Sequence, residues 1–216
     1  MRHIYYPSCN FQKLFPETAK RIRAYFETQP DISVAGCCHV TSDVPDPDDV
    51  IVTVCMSCMR CLDEVRPDVP QISLYELLLT RRDFPWPDLH GQVCTLQDCF
   101  RARGKHGLHD AVRECLTRMG VTFAEMPGNR DEETYDGSFL LHLPYPAGLK
   151  DAPRYFGEYL PEHLTPLPEA EWPEYLKQHA RKYDTQPVVC YCNTCVTGAR
   201  TGGAQAYHLA ELLFPG

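Results

Sequence analysis

Short apolar strands alternating with amphipathic helices place this chain in the α/β class, with short parallel sheets, flanking helices and two similar halves. Three observations predict this. Val50-Ile51-Val52-Thr53-Val54 is a continuous β-branched run, the pattern of a strand buried on both faces of a parallel sheet. Runs of this kind end in cysteine, at Cys9, Cys55 and Cys99. The second half also repeats the punctuation of the first. Cys55-x-x-Cys58 and Cys192-x-x-Cys195 are each followed by a leucine-rich stretch holding one glutamate, Glu76 at 18 positions past Cys58 and Glu211 at 16 past Cys195.

Residues 3–8, His-Ile-Tyr-Tyr-Pro-Ser, read as a strand running into Cys9. Pro16-Glu17 opens a helix to about Thr28, because proline suits the first helical position, and Ala19, Ile22, Tyr25 and Phe26 then share one face. Ile32–Ala35 is a strand feeding Gly36-Cys37-Cys38, and a Pro/Asp-rich loop follows over 43–49. Met56–Val65 is helical by its pattern. In the second half Val93–Leu96 is a strand reaching Asp98-Cys99. His109–Met119 is a helix with Ala111, Val112, Cys115 and Leu116 on one side and Gly120 as its stop. Val121–Met126 and Pro187–Tyr191 complete the strands, and Glu169–Tyr183 is a helix. The expected division is a first lobe at 1–88 and a second at 89–216, a duplicated unit with a pseudo-two-fold relation. A proline- and aromatic-rich insertion, 127–186, interrupts the second lobe.

The chain has 216 residues, long enough for a real core, with 44% apolar and 23% charged residues. A net charge of −8 argues against a nucleic-acid surface. Arg101, Arg103 and Lys105 come nearest to a basic cluster and read as a solvated loop. Gly198, Gly202 and Gly203 lack the lysine and spacing of a phosphate loop and read as a close-packed helix N-terminal turn. No apolar stretch is long enough for a membrane span, and no export signal is visible, so the expected location is cytoplasmic. Twelve cysteines call for disulfides or metals, and a reducing compartment favours metals.

Cys9, the adjacent Cys37 and Cys38, and Cys55-x-x-Cys58 are the principal candidate ligands. Neighbouring side chains on an extended chain point apart, so Cys37 and Cys38 fit a polynuclear site better than one ion. Thiolates select iron–sulfur clusters, zinc or copper(I). In parallel α/β sheets functional residues gather at the carboxyl ends of strands, where all three cysteine elements fall.

The order Cys … Cys-Cys … Cys-x-x-Cys resembles the cysteine-rich CCG domain. That domain occurs twice in one of the subunits of heterodisulfide reductase and in related subunits of glycolate, glycerol-3-phosphate and lactate oxidising systems. The resemblance spans most of the chain. It runs through Tyr6-Pro7-Ser8-Cys9, Gly36-Cys37-Cys38 and Val52–Cys58, then through Thr95–Cys99, Glu125–Arg130 and Cys192–Cys195. It implies a non-cubane [4Fe–4S] cluster held by Cys9, Cys37, Cys38, Cys55 and Cys58, with helix N-termini after Cys9 and Cys55 directing N–H groups at it. It implies a redox function: handling thiols or reducing disulfides at the cluster, or relaying electrons to a ferredoxin-like or dehydrogenase partner. His39 replaces the glycine after the cysteine pair and is a candidate hydrogen-bond donor to cluster or substrate.

The second repeat lacks the pair, and Glu133-Thr134-Tyr135-Asp136-Gly137 stands in its place. Cys99, Cys192 and Cys195 remain as a tentative second site for a cluster or zinc, with Cys190 or Asp136 as a fourth ligand. Tyr135 and Asp136 otherwise read as a surface turn. Cys61, Cys94 and Cys115 read as buried small hydrophobes. His106, His109, His142, His179 and His208 show no ligand spacing. The alternative from another class is a non-catalytic zinc- or cluster-binding scaffold docked on a larger dehydrogenase.

Overall fold

The computed structural model describes residues 2–38, 45–137, 146–164 and 166–216. His39, His142 and the start of the 43–49 loop lie outside the described residues. The chain is α/β and forms two compact units, each with a four-stranded parallel sheet. The first holds the described residues up to Leu78, those between 146 and Leu164, and Gly216; the second holds the rest.

The first unit runs β1 (His3–Tyr6), α1 (Cys9–Leu14), α2 (Pro16–Glu27), β2 (Ile32–Val34), β3 (Val50–Thr53), α3 (Met56–Val65) and β4 (Gln71–Ser73), and opens α4 (Leu74–Thr80). Its strand order is β2-β1-β3-β4, parallel throughout. β1 and β3 are central. Ile4, Tyr5, Tyr6, Ile51 and Val52 are buried, and α2 covers one face with Ile22 and Phe26. The Phe26 ring meets Tyr5 edge-on, with centroids 4.8 Å apart. The edge strand β2 is only half-buried, which explains its weaker apolar pattern.

The second unit runs β5 (Val93–Gln97), α5 (His106–Arg118) and β6 (Thr122–Glu125). The chain then supplies α6 (Pro146–Asp151) and α7 (Leu160–His163), both in the first unit, and returns with α8 (Trp172–Ala180), α9 (Asn193–Thr201), β8 (Ala206–His208) and α10 (Leu209–Leu213), with β7 (Val188–Cys190) between α8 and α9. Its strand order, β6-β5-β7-β8, repeats that of the first unit, again all parallel. Leu96, Val188, Val189 and Cys190 fill the sheet centre. Val112, Cys115 and Leu116 bring the apolar face of α5 onto the core. No helix among the described residues is long and apolar enough to cross a membrane.

The two glutamates matched by sequence do the same work in both units. Glu76 Oε2 accepts from Ser73 N at 2.7 Å while Ser73 Oγ accepts from Glu76 N at 3.1 Å. Glu211 Oε2 likewise accepts from His208 N at 2.7 Å, and His208 Nδ1 accepts from Ala210 N at 3.2 Å. Each closes a capping box at the helix that follows the fourth strand.

Gly198 and Gly202 lie inside and at the end of α9, not at a helix start as expected from sequence. Their role is close approach. A Cβ on Gly198 would strike the Tyr135 hydroxyl and the Gly137 backbone, and one on Gly202 would strike the Leu176 carbonyl. Gly198→Ala must therefore push the 135–137 segment away from α9, with an expected loss of about 1–3 kcal/mol, read as a lower urea midpoint with unchanged slope.

Candidate metal centres

In the first unit each of the three adjacent strands β2, β1 and β3 hands its last residues to a thiol. β1 continues through Pro7 to Ser8, whose φ of 60° turns the chain. Ser8 Oγ accepts from Phe11 N at 3.3 Å and caps α1, which Cys9 begins. β2 ends through Ala35, bonded by its N–H to Tyr5 O at 2.9 Å, and delivers Cys37 and Cys38. β3 delivers Cys55 as the N-cap of α3, and Cys58 is then its third helical residue. N-cap and third residue face each other across the first helical turn, the spacing a capping box uses. A Cys-x-x-Cys at these positions pairs two sulfurs beside backbone N–H groups left without helical partners.

The contacts join the five sulfurs into two sets, one of Cys38, Cys55 and Cys58 and one of Cys9 and Cys37. Cys38 Sγ lies 3.2 Å from Cys58 Sγ, Cys58 is hydrogen-bonded to Cys55, and Cys9 to Cys37. Cys9 is exposed and Cys37 half-buried, while Cys38, Cys55 and Cys58 are buried beside Ile4, Tyr6, Leu62 and Val69. The group is thus open on the Cys9 side and dry behind. Hydrogen bonds from Cys38 and Cys55, with burial, push the Cys58 thiol up, and burial beside Cys37 pushes up Cys9. Several thiolates crowded together without a counter-cation are unfavourable, which is the state a bound metal relieves. Cys61, fully buried on α3, and likewise Cys94 and Cys115, are core residues as read from sequence. No disulfide joins any of the twelve cysteines.

The second unit builds a tighter site. Cys192 is the N-cap of α9 and Cys195 its third residue, repeating Cys55 and Cys58, while Cys99 follows β5 as Cys9 follows β1. The Sγ atoms of Cys99, Cys192 and Cys195 lie within 4.8 Å of one another, and these three residues can hold a metal. Zinc–thiolate bonds of about 2.3 Å in a tetrahedron put sulfurs about 3.8 Å apart, so a small contraction suffices. Cys190 and Asp136, the candidate fourth ligands, lie outside this group.

The structure corrects two expectations. Arg101 is no loop residue in solvent, and Tyr135-Asp136 is no surface turn. All three are buried. Arg101 Nη2 donates to Asp136 Oδ1 at 2.6 Å and to the Thr194 hydroxyl, and sits 3.7 Å from Cys192 Sγ. Thr194 Oγ1 also donates to Asp136 Oδ1 at 3.1 Å. Burial opposes ionisation of Cys192. Hydrogen bonds from Cys195 and Cys99, with the Arg101 charge and the Thr194 hydroxyl, outweigh it and hold this thiol well below its ordinary value. Burial pushes Cys99 and Cys195 up. The arginine and the neighbouring hydrogen bonds thus favour the thiolate at Cys192, while burial disfavours it at Cys99 and Cys195.

Behind this site lies a polar chain. His179 stacks on Tyr135 with centroids 3.7 Å apart, and its Nε2 donates to Gln97 Oε1 at 2.8 Å. Gln97 Nε2 donates to Glu133 Oε2 at 2.7 Å, and Glu133 Oε1 accepts from Tyr135 N at 2.7 Å and Thr134 N at 2.9 Å. His179 and His208 are thus structural, in line with their ordinary reading. His106 and His109 depart from theirs: their ligand atoms and that of Asp131 lie within 4.8 Å of one another. The signal was present in the sequence, since His106-x-x-His109 is the i, i+3 spacing of one helix face.

Neither protein-family models nor curated proteins match the sequence.

Removing one partner of the Arg101–Asp136 pair strands a buried charge. Arg101→Met is expected to cost about 3–5 kcal/mol, and Arg101→Met with Asp136→Leu to recover most of it in denaturant melts. Burial raises Glu133 from 4.5 to about 7, against the hydrogen bonds from Tyr135, Gln97 and Thr134. The folded value exceeds the unfolded one, so this group's contribution to stability is complete below about pH 4.5 and is lost as pH rises through about 7. Glu133→Gln is expected to flatten that part of the pH–stability curve; an unchanged slope would show another group responsible.

Proposed function

We propose that this chain is an iron–sulfur redox protein of the kind implied by its likeness to the CCG domains of heterodisulfide reductase. In this reading Cys9, Cys37, Cys38, Cys55 and Cys58 hold a non-cubane [4Fe–4S] cluster. The observation that supports it is the placing of these thiols after the neighbouring strands β1, β2 and β3, in two touching sets, exposed at Cys9 and buried at Cys38, Cys55 and Cys58. Such a cluster, when bound, supplies electrons and an iron open to a substrate sulfur. The chain's own residues do the rest. The first turn of α3 presents N–H groups to an anionic group, the apolar wall of Ile4, Leu62 and Val69 excludes water, and the open Cys9 side admits a thiol or disulfide, or a redox partner protein.

The compact trio of the second unit supports a second reading for that unit alone. Three buried sulfurs within 4.8 Å of one another suit a single zinc-like ion, one ligand short of the closed four-coordinate site that the scaffold alternative needs.

Iron, zinc and acid-labile sulfide per chain, with EPR, on protein purified without oxygen, test both readings. About four irons and four sulfides are expected, with about one zinc if the trio holds it. Cys38→Ser and Cys58→Ser are expected to lose or convert the iron signal while leaving zinc in place. Zinc with no sulfide would overturn the redox function.

A further inference from the structure

We infer that the second unit carries a further metal site, separate from its thiols, in which His106, His109 and Asp131 bind a divalent transition-metal ion. His106 and His109 stand on the same face of the first turn of α5. Asp131 comes from the turn Arg130–Glu132, which is held in place at two points: Arg130 N donates to Asp98 Oδ2 at 2.8 Å, and Gly104 N donates to Asp131 Oδ1 at 2.8 Å. That second bond commits one carboxylate oxygen and leaves Oδ2 facing His106 Nε2 at 3.5 Å.

His109 is the observation that separates this site from an ordinary surface ion pair. Its ring is fully buried, and among the described residues neither Nδ1 nor Nε2 has a hydrogen-bond partner. Buried imidazoles are normally satisfied by protein or water, since an orphaned polar group forfeits its hydration. A His106–Asp131 pair accounts for two of the three side chains and leaves His109 unexplained. A metal ion engages all three side chains, because it takes the lone pair of one ring nitrogen of a neutral imidazole.

Imidazole and carboxylate donors suit zinc and its neighbours in the first transition row rather than the softer ions selected by an all-thiol set. The required movement falls on the right residues. Metal–ligand bonds of about 2.0–2.1 Å need ligand atoms about 3.3 Å apart in a tetrahedron. The side chains of His106 and Asp131 are 70% and 45% exposed, so they can close on the fixed His109. Two of the nearby cations are paired, Arg130 with Asp110 at 2.8 Å, and Arg113 with Asp98 at 2.8 Å and Glu125 at 2.7 Å, while Arg103 lies over the Phe100 ring at 4.7 Å. With three protein ligands and an exposed side, the remaining coordination positions belong to solvent, the arrangement of an ion that can act on an incoming molecule.

Cobalt(II) titration of the full chain, purified without oxygen and keeping whatever its thiols hold, tests the site. Visible d–d bands are expected to saturate at one ion without the near-ultraviolet sulfur-to-cobalt charge transfer of a thiolate site. His106→Ala and Asp131→Asn, both at exposed positions and so spared a folding defect, are each expected to weaken binding at least tenfold, the scale on which even outer-shell partners act. Zinc is expected to displace the cobalt. No uptake by the unaltered chain, equal uptake by both variants, or bands carrying sulfur charge transfer would each overturn the assignment.

Discussion

All strands of each sheet run in one direction, and everything chemical in this protein depends on that constraint. Parallel strands deliver their carboxyl ends to a single edge, and each strand there must turn into a helix or a loop. A residue placed just after a strand therefore lands beside residues from strands far away in sequence. Cys9, Cys37 and Cys55 are well separated along the chain, yet the order β2-β1-β3 makes their strands immediate neighbours. Cys99 and Cys192 are brought together by the same device, through the neighbouring strands β5 and β7.

The helix start adds the second half of the device. With the first cysteine of Cys-x-x-Cys as N-cap, the second is fixed one turn on, and the N–H groups between them have no helical acceptor. Neither Cys55 nor Cys192 makes a side-chain cap hydrogen bond. A cysteine is a poor cap, so a position that usually stabilises a helix has been given over to sulfur. Capping boxes at Ser73–Glu76 and His208–Glu211 keep ordinary helix-start chemistry at the fourth strand of each unit, where no thiol stands.

The units share strand order but not chemistry. The first has an open set of thiols with an exposed member. The second has three buried thiols and, close to Cys192, an arginine whose charge is shared between that sulfur, Asp136 and Thr194. The arginine is tolerable only because Asp136 and Cys192 are buried with it. The close approach of α9 to the 135–137 segment, permitted by Gly198, holds that group together.

The alternation of strands and helices, the helix Met56–Val65 and the capping glutamates were all legible in the sequence, because each rests on local periodicity or on spacing within one turn. The candidate ligand cysteines were legible for the same reason: their positions relative to strand ends are local facts. Arg101, Asp136 and the approach of Asp131 to the His106-x-x-His109 face were not. A lone arginine, or a Tyr-Asp before a glycine, reads as surface, since burial depends on what packs above it and not on its neighbours in the chain. The sequence by itself determined where each strand stops and which side chain follows. Tertiary structure decided which of those side chains share a dry interior, because only the folded sheet brings 101, 136 and 192 together and excludes the water that would otherwise solvate their charges.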